Sequence, residues 1–115
     1  EVEIEKTIEG DAEPGMVHTV FFWMNDDVDA AGEREFKDAL QELEAIPSVK
    51  RMFAGPAAAT ADRDVTDNSF DYSLILWFDD VDGQNAYQVH PIHTAFAEGQ
   101  GPKFRKVIVY DSQID

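Results

Sequence analysis

The sequence contains no cysteine. That excludes disulfides, a thiolate nucleophile and zinc sites built on Cys. It also lacks an apolar run long enough to cross a bilayer, and no signal-peptide pattern precedes the short apolar burst at 17–24. Basic residues are scarce, nine Lys and Arg against 24 Asp and Glu, for a formal charge of −15. A surface this acidic repels phosphate backbones and anionic lipid, so neither nucleic acid nor a membrane is an expected partner. There is no glycine-rich phosphate loop, no nucleophile elbow, and no basic patch with interleaved aromatics. What remains is an acidic protein with no cofactor expected. Its expected location is cytoplasmic; because the chain begins at Glu1, processing upstream is left open.

Against these absences stands a sizeable apolar fraction, 43% of 115 residues with 11% aromatic, enough for one domain with one core. Residues 1–13 carry six acids and one lysine. Val2, Ile4 and Ile8 fall on even positions there, which suits a short edge strand or an acidic arm, while the high charge equally suits a loose tail. The domain proper is expected over 14–115.

Met16 to Met24 reads as a first strand, rich in β-branched and aromatic residues. His18, Val20, Phe22 and Met24 share one face; Val17, Thr19, Phe21 and Trp23 share the other. Asp26, Asp27 and Asp29 then supply helix-capping carboxylates. A helix is predicted from about Ala30 to Ile46, because Phe36, Leu40, Leu43 and Ile46 recur at helical spacing and Pro47 ends it. Val49 to Ala54 reads as a second strand, and 57–68 as a polar hairpin loop. Ser69 to Phe78 is the strongest strand, with Phe70, Tyr72, Leu74, Leu76 and Phe78 on one face. Asp79 and Asp80 cap a second helix from about Asp82 to His90, with Pro91 as its breaker. A short helical piece over Ile92 to Ala97 and a last strand over Lys106 to Asp111 complete the chain.

The order β-α-β-β-α-β is that of a ferredoxin-like α+β fold, one antiparallel sheet with two helices on one face. The first and third strands are apolar on both faces, and the second face holds two tryptophans. An uncovered patch of that kind is covered most simply by its own copy. A homodimer is therefore expected, its two sheets curling into a shared barrel.

Histidines concentrate the candidate chemistry. Tyr87, His90 and His93 fall in Tyr87-Gln88-Val89-His90-Pro91-Ile92-His93, and His18 lies on strand one. Strand parity puts His18 and Tyr72 on one sheet side. If the helices cover that side, His18, Tyr72, Tyr87 and His93 converge in one apolar cavity suited to a small molecule. Each also has a plainer reading. His90 before a proline is a helix-ending residue favoured by the dipole. His18 and His93 can be buried, hydrogen-bonded imidazoles, and Tyr87 an amphipathic core residue. His90 and His93 stand three apart, but Pro91 interrupts the helix and no third ligand follows, so no metal site is expected.

Val17-His18-Thr19-Val20-Phe21-Phe22, Ile46-Pro47-Ser48-Val49, Phe70-Asp71-Tyr72 and above all Ala86-Tyr87-Gln88-Val89-His90-Pro91-Ile92-His93 resemble the stress-responsive A/B barrel domain family, over about residues 16–111. The resemblance implies a dimeric α+β barrel. Many members have no established activity. Some plant members are polyketide cyclases that perform a cofactor-free aldol condensation. Carried over by motif position, His93 is the base and Tyr87 its orienting partner. His18, Tyr72 and His90 are then expected to line the cavity, with Tyr72 standing where the cyclases have a histidine. The resemblance thus leaves a ligand-binding barrel, a cyclase-like or lyase enzyme, and a purely structural dimerisation module as the alternatives.

Overall fold

The computed structural model describes residues 13–115; the acidic stretch expected as an arm lies outside the described residues, apart from Glu13. The described elements are β1 (Met16–Met24), α1 (Ala30–Glu42), β2 (Arg51–Gly55), β3 (Tyr72–Phe78), α2 (Val81–Gln88), α3 (Pro91–Gln100) and β4 (Phe104–Gln113), with 3-10 turns after α1 and α3. The sheet runs β2-β3-β1-β4 and every neighbouring pair is antiparallel. This is the ferredoxin-like α+β arrangement read from the sequence.

The two acidic turns act as expected. Asp29 Oδ1 accepts from the Gly32 amide at 2.8 Å, and Asp80 Oδ1 from the Gly83 amide at 2.9 Å. Each carboxylate answers a free amide at the positive end of a helix. The stripe of α1 continues into its 3-10 turn, with Phe36, Leu40, Leu43 and Ile46 all buried. Each such side chain contributes roughly 1.5–3 kcal/mol by leaving water. On the sheet the stripe meets Val20, Phe22, Met52, Leu74 and Leu76. Phe22 is a hub, its ring 5.2 Å from Phe36, 6.3 Å from Phe96 and 4.9 Å from Phe104.

Beyond shifts of a few residues at element ends, two differences from the sequence expectation bear on the site. Pro91 does not break a long helix; it opens α3 as its first residue, where its missing amide costs nothing. α3 consequently runs to Gln100, beyond the short piece expected. β3 begins at Tyr72 rather than Ser69, because Asp71 leaves the strand path: its carboxylate accepts from the Met24 amide at 2.7 Å. Phe70 therefore packs across the other sheet face, with its ring 4.8 Å from Phe21.

That other face bears no helix. Val17, Thr19, Phe21, Ile75 and Trp77 are half-buried, and Tyr110 is exposed. Trp23 is covered within the chain: Phe70 lies against it, its indole N–H donates to Ser69 Oγ at 3.1 Å, and the Lys106 ammonium sits 4.5 Å from its ring. At the start of β1, Gly15 is fixed by close approach. A Cβ there would lie 2.2 Å from the Asp79 carbonyl oxygen.

Candidate functional site

β1 and β4 place the first pair of the site. His18 and Asp111 are direct cross-strand partners on the helix-covered face. His18 Nδ1 lies 2.5 Å from Asp111 Oδ1. A carboxylate only accepts, so the imidazole donates from Nδ1 and its Nε2 is left for another partner. The His18 side chain is 8% exposed and that of Asp111 52%, so the pair joins a buried ring to a solvated anchor at the open edge of the sheet.

α2 and α3 bring the second pair. Tyr87 is the last buried residue of α2, and His93 lies in the first turn of α3. Their rings are 4.7 Å apart, centroid to centroid. Tyr87 also packs on Phe78 at 5.3 Å and meets His18 edge-on at 5.9 Å. The four side chains form a continuous series, Asp111 to His18 to Tyr87 to His93.

Burial tunes two of these groups. It pushes the Tyr87 hydroxyl well above the ordinary tyrosine range, so the phenol stays protonated and able to donate. Burial also holds His93 below the usual histidine value, and the nearby His18 acts the same way; a hydrogen bond to the Gln88 backbone carbonyl works in the opposite direction. His93 is therefore a neutral imidazole at neutral pH. One nitrogen donates to that carbonyl, and the other is an acceptor.

These residues border a cavity of about 390 Å³ between the sheet and α2–α3. His18, Tyr87, His93, Gln84, Gln88 and Asp111 form its polar side. Val20, Phe22, Leu74, Phe96 and Phe104 form its apolar wall, and Val107 and Val109 its rim along β4. The rim valines are 44% and 46% exposed, so the cavity opens at the edge of the sheet. A larger depression of about 600 Å³, around Gly15, Asp79–Asp82 and Ser112–Ile114, contains none of the histidines or tyrosines; its lining holds no imidazole or phenol to do proton chemistry.

Two of the five expected site residues are elsewhere. Tyr72 is on the expected sheet face but pairs with Phe22, whereas His18 pairs with Leu76. Four residues of strand separate the two positions, about 13 Å at 3.3 Å per residue. Tyr72 lies under α1 instead, edge-on to Phe36 at 5.7 Å and beneath the Lys37 ammonium. It does not line the cavity. Nor does His90, which is the N-cap of α3: its Nδ1 accepts from the Ile92 amide at 3.1 Å. The sequence reading put His90 at the end of a helix; it does follow the C-cap of α2, but its side chain caps the start of α3. Asp111 is the residue that sequence reasoning missed. Its only signal was an acid on the same strand face as Val107 and Val109, and its partner depends on register. Among the described residues no group of three or more His, Asp or Glu is placed to hold a metal ion.

The family model for the Stress responsive A/B Barrel Domain matches residues 16–114. The chain belongs to this family. No curated protein matches the sequence. Among solved structures, a dimeric ferredoxin-like protein of unknown function from Thermobifida fusca is 26% identical. It superposes with a TM-score of 0.74, over 94% of this chain and 98% of that one. The hydroxynitrile lyase of Passiflora edulis gives a TM-score of 0.75 at 22% identity, over 90% and 96%. A Dabb family protein with a ferredoxin-like fold from Mesorhizobium loti gives 0.69 at 24%, over 87% and 96%. At those identities the last two show a shared fold. Among the described residues of this A/B barrel chain, no helix is long and apolar enough to cross a membrane.

Proposed function

We propose that this A/B barrel protein is a homodimer in which each chain binds one small, largely apolar molecule carrying a polar group. The observation that carries the reading is the cavity itself: an apolar wall closed at one side by His18, Tyr87 and His93. The apolar part of a ligand would displace water from Phe22, Leu74 and Phe104, and its polar group would meet a phenol donor and an imidazole acceptor. Pairing of the helix-free sheet faces is supported by the half-buried Phe21, Ile75 and Trp77 there and by the dimeric Thermobifida relative. The test is a titration with a series of neutral phenols and aryl aldehydes, following the ring resonances of His93 and Tyr87 by NMR. Saturable shifts at both rings are expected. If no compound moves either ring at millimolar concentration, the binding reading is wrong.

A second reading rests on the state of His93. A neutral imidazole against a protonated phenol can take a proton from a bound C–H or O–H acid while Tyr87 donates to the developing oxyanion. This fits a cofactor-free cyclase or lyase, and a hydroxynitrile lyase shares the fold. His93→Ala is then expected to abolish turnover of a cyanohydrin or β-polyketone substrate with little change in melting temperature. Retained turnover would remove His93 from the role of base.

A further inference from the structure

The corner between α2 and α3 is closed by a histidine in an unusual role. Helix N-caps are ordinarily Ser, Thr, Asp or Asn, whose side-chain oxygens accept a free amide at any physiological pH. Here the acceptor is an imidazole nitrogen, His90 Nδ1, at 3.1 Å from the Ile92 amide nitrogen. The His90 backbone ties both helices as well. Its amide donates to the Tyr87 carbonyl at 3.1 Å, and its carbonyl accepts from the Thr94 amide at 3.0 Å. The two side chains on either side of this residue are the ones that pack against each other on the polar side of the cavity, Tyr87 from α2 and His93 from α3.

We propose that His90 is a positioning residue: its imidazole cap on α3 locks the corner that sets the Tyr87 and His93 rings against each other. The importance of that corner rests on the reading above, that Tyr87 and His93 form the working side of the cavity. The imidazole nitrogen answers a free amide at the start of α3 while the backbone amide of the same residue holds the end of α2, so one residue fixes the angle at which the two helices meet.

The charged surroundings are sparse. Among the described residues His90 has no ion pair. From α1, Glu42 borders the depression that Pro91 and Ile92 line. On its own two helices the charged groups are Asp82 and Glu98, each about two turns away.

The experiment compares the full protein with His90→Ala and His90→Asn. Asn supplies an acceptor oxygen in place of the ring nitrogen. The first readout is hydrogen exchange at the Ile92 amide at one fixed pH. His90→Ala should lose protection by roughly fivefold against the wild type, the size of an ordinary N-cap effect, and His90→Asn should keep it. The second readout is the His93 ring titration by NMR. It should move towards the ordinary histidine value in His90→Ala, as the corner opens to water, and stay low in His90→Asn. Equal protection of Ile92 in the wild type and His90→Ala overturns the proposal. So does a His93 titration that is the same in Ala and Asn variants. If His90→Ala fails to fold, His90→Gly, which also lacks the acceptor, is read in its place. Neither readout uses a ligand, so failure of the phenol and aldehyde titration bears on the binding reading alone.

Discussion

Removing the carboxylate of Asp111 should loosen His18, and the structure bounds by how much. Asp111→Ala deletes the acceptor that lies 2.5 Å from His18 Nδ1. A hydrogen bond to a charged group is worth about 1.5–3 kcal/mol when both partners are buried. Here only one is, the carboxylate side chain being 52% exposed, so solvent screening pulls the value down to about 1 kcal/mol. The donor left behind adds a cost of its own. The His18 side chain is 8% exposed, and its Nδ1–H must either find water at the cavity rim or stay unpaired. The total expected is about 1–2 kcal/mol, a fall in melting temperature of roughly 5–10 °C for a domain of this size. Asp111→Asn keeps an acceptor oxygen and should lose about half as much, since a neutral bond is roughly half as strong as a charge-assisted one. The assay is urea denaturation of the wild type, Asp111→Ala, His18→Leu and the double variant. A coupling of about 1 kcal/mol between the two sites is expected from the cycle. Additive losses would mean that the contact contributes nothing to stability, and the claim that Asp111 fixes His18 would fall.

Three further outcomes follow from other parts of the molecule. Gly15→Ala forces a methyl group to within 2.2 Å of the Asp79 carbonyl oxygen, so about 1–3 kcal/mol should be lost in thermal unfolding; a neutral result would mean that the strand start shifts freely. Because the folded state holds His93 below its unfolded value, the unfolded chain binds more protons as pH falls through and below the ordinary histidine range. The stability tied to His93 is therefore complete above that range and is lost progressively on acidification. His93→Phe should flatten this part of a pH-dependent urea series, and an unchanged slope would contradict the assignment. On the helix-free sheet face, Ile75→Asp should convert the expected dimer to monomer in sedimentation velocity at micromolar protein, because symmetry sets like charges near one another; a persistent dimer would move the interface elsewhere.

Much of the fold was legible because its signals are local. Met16–Met24 has strand composition throughout, and Asp29 and Asp80 are capping carboxylates directly ahead of helical periodicity. Pro91 misled because one residue type both ends and begins helices, and only the path of the chain after it tells which. Phe70 misled for a related reason. Strand alternation predicts a face only while the strand lasts, and the Asp71–Met24 hydrogen bond ends it.

The sequence alone determined the element order, the acid-rich surface, the absence of thiol chemistry, and a motif carrying Tyr87 and His93. It also set which residues share a sheet face, because side chains alternate by covalent geometry. Position along that face was left to tertiary structure. Strand register decides that His18 meets Asp111 and that Tyr72 ends about 13 Å away under α1. The turn at His90 decides that Tyr87 and His93 face one another. Register and helix packing are settled by contacts between residues far apart in the chain, such as the 93 positions between His18 and Asp111, and no local pattern encodes them.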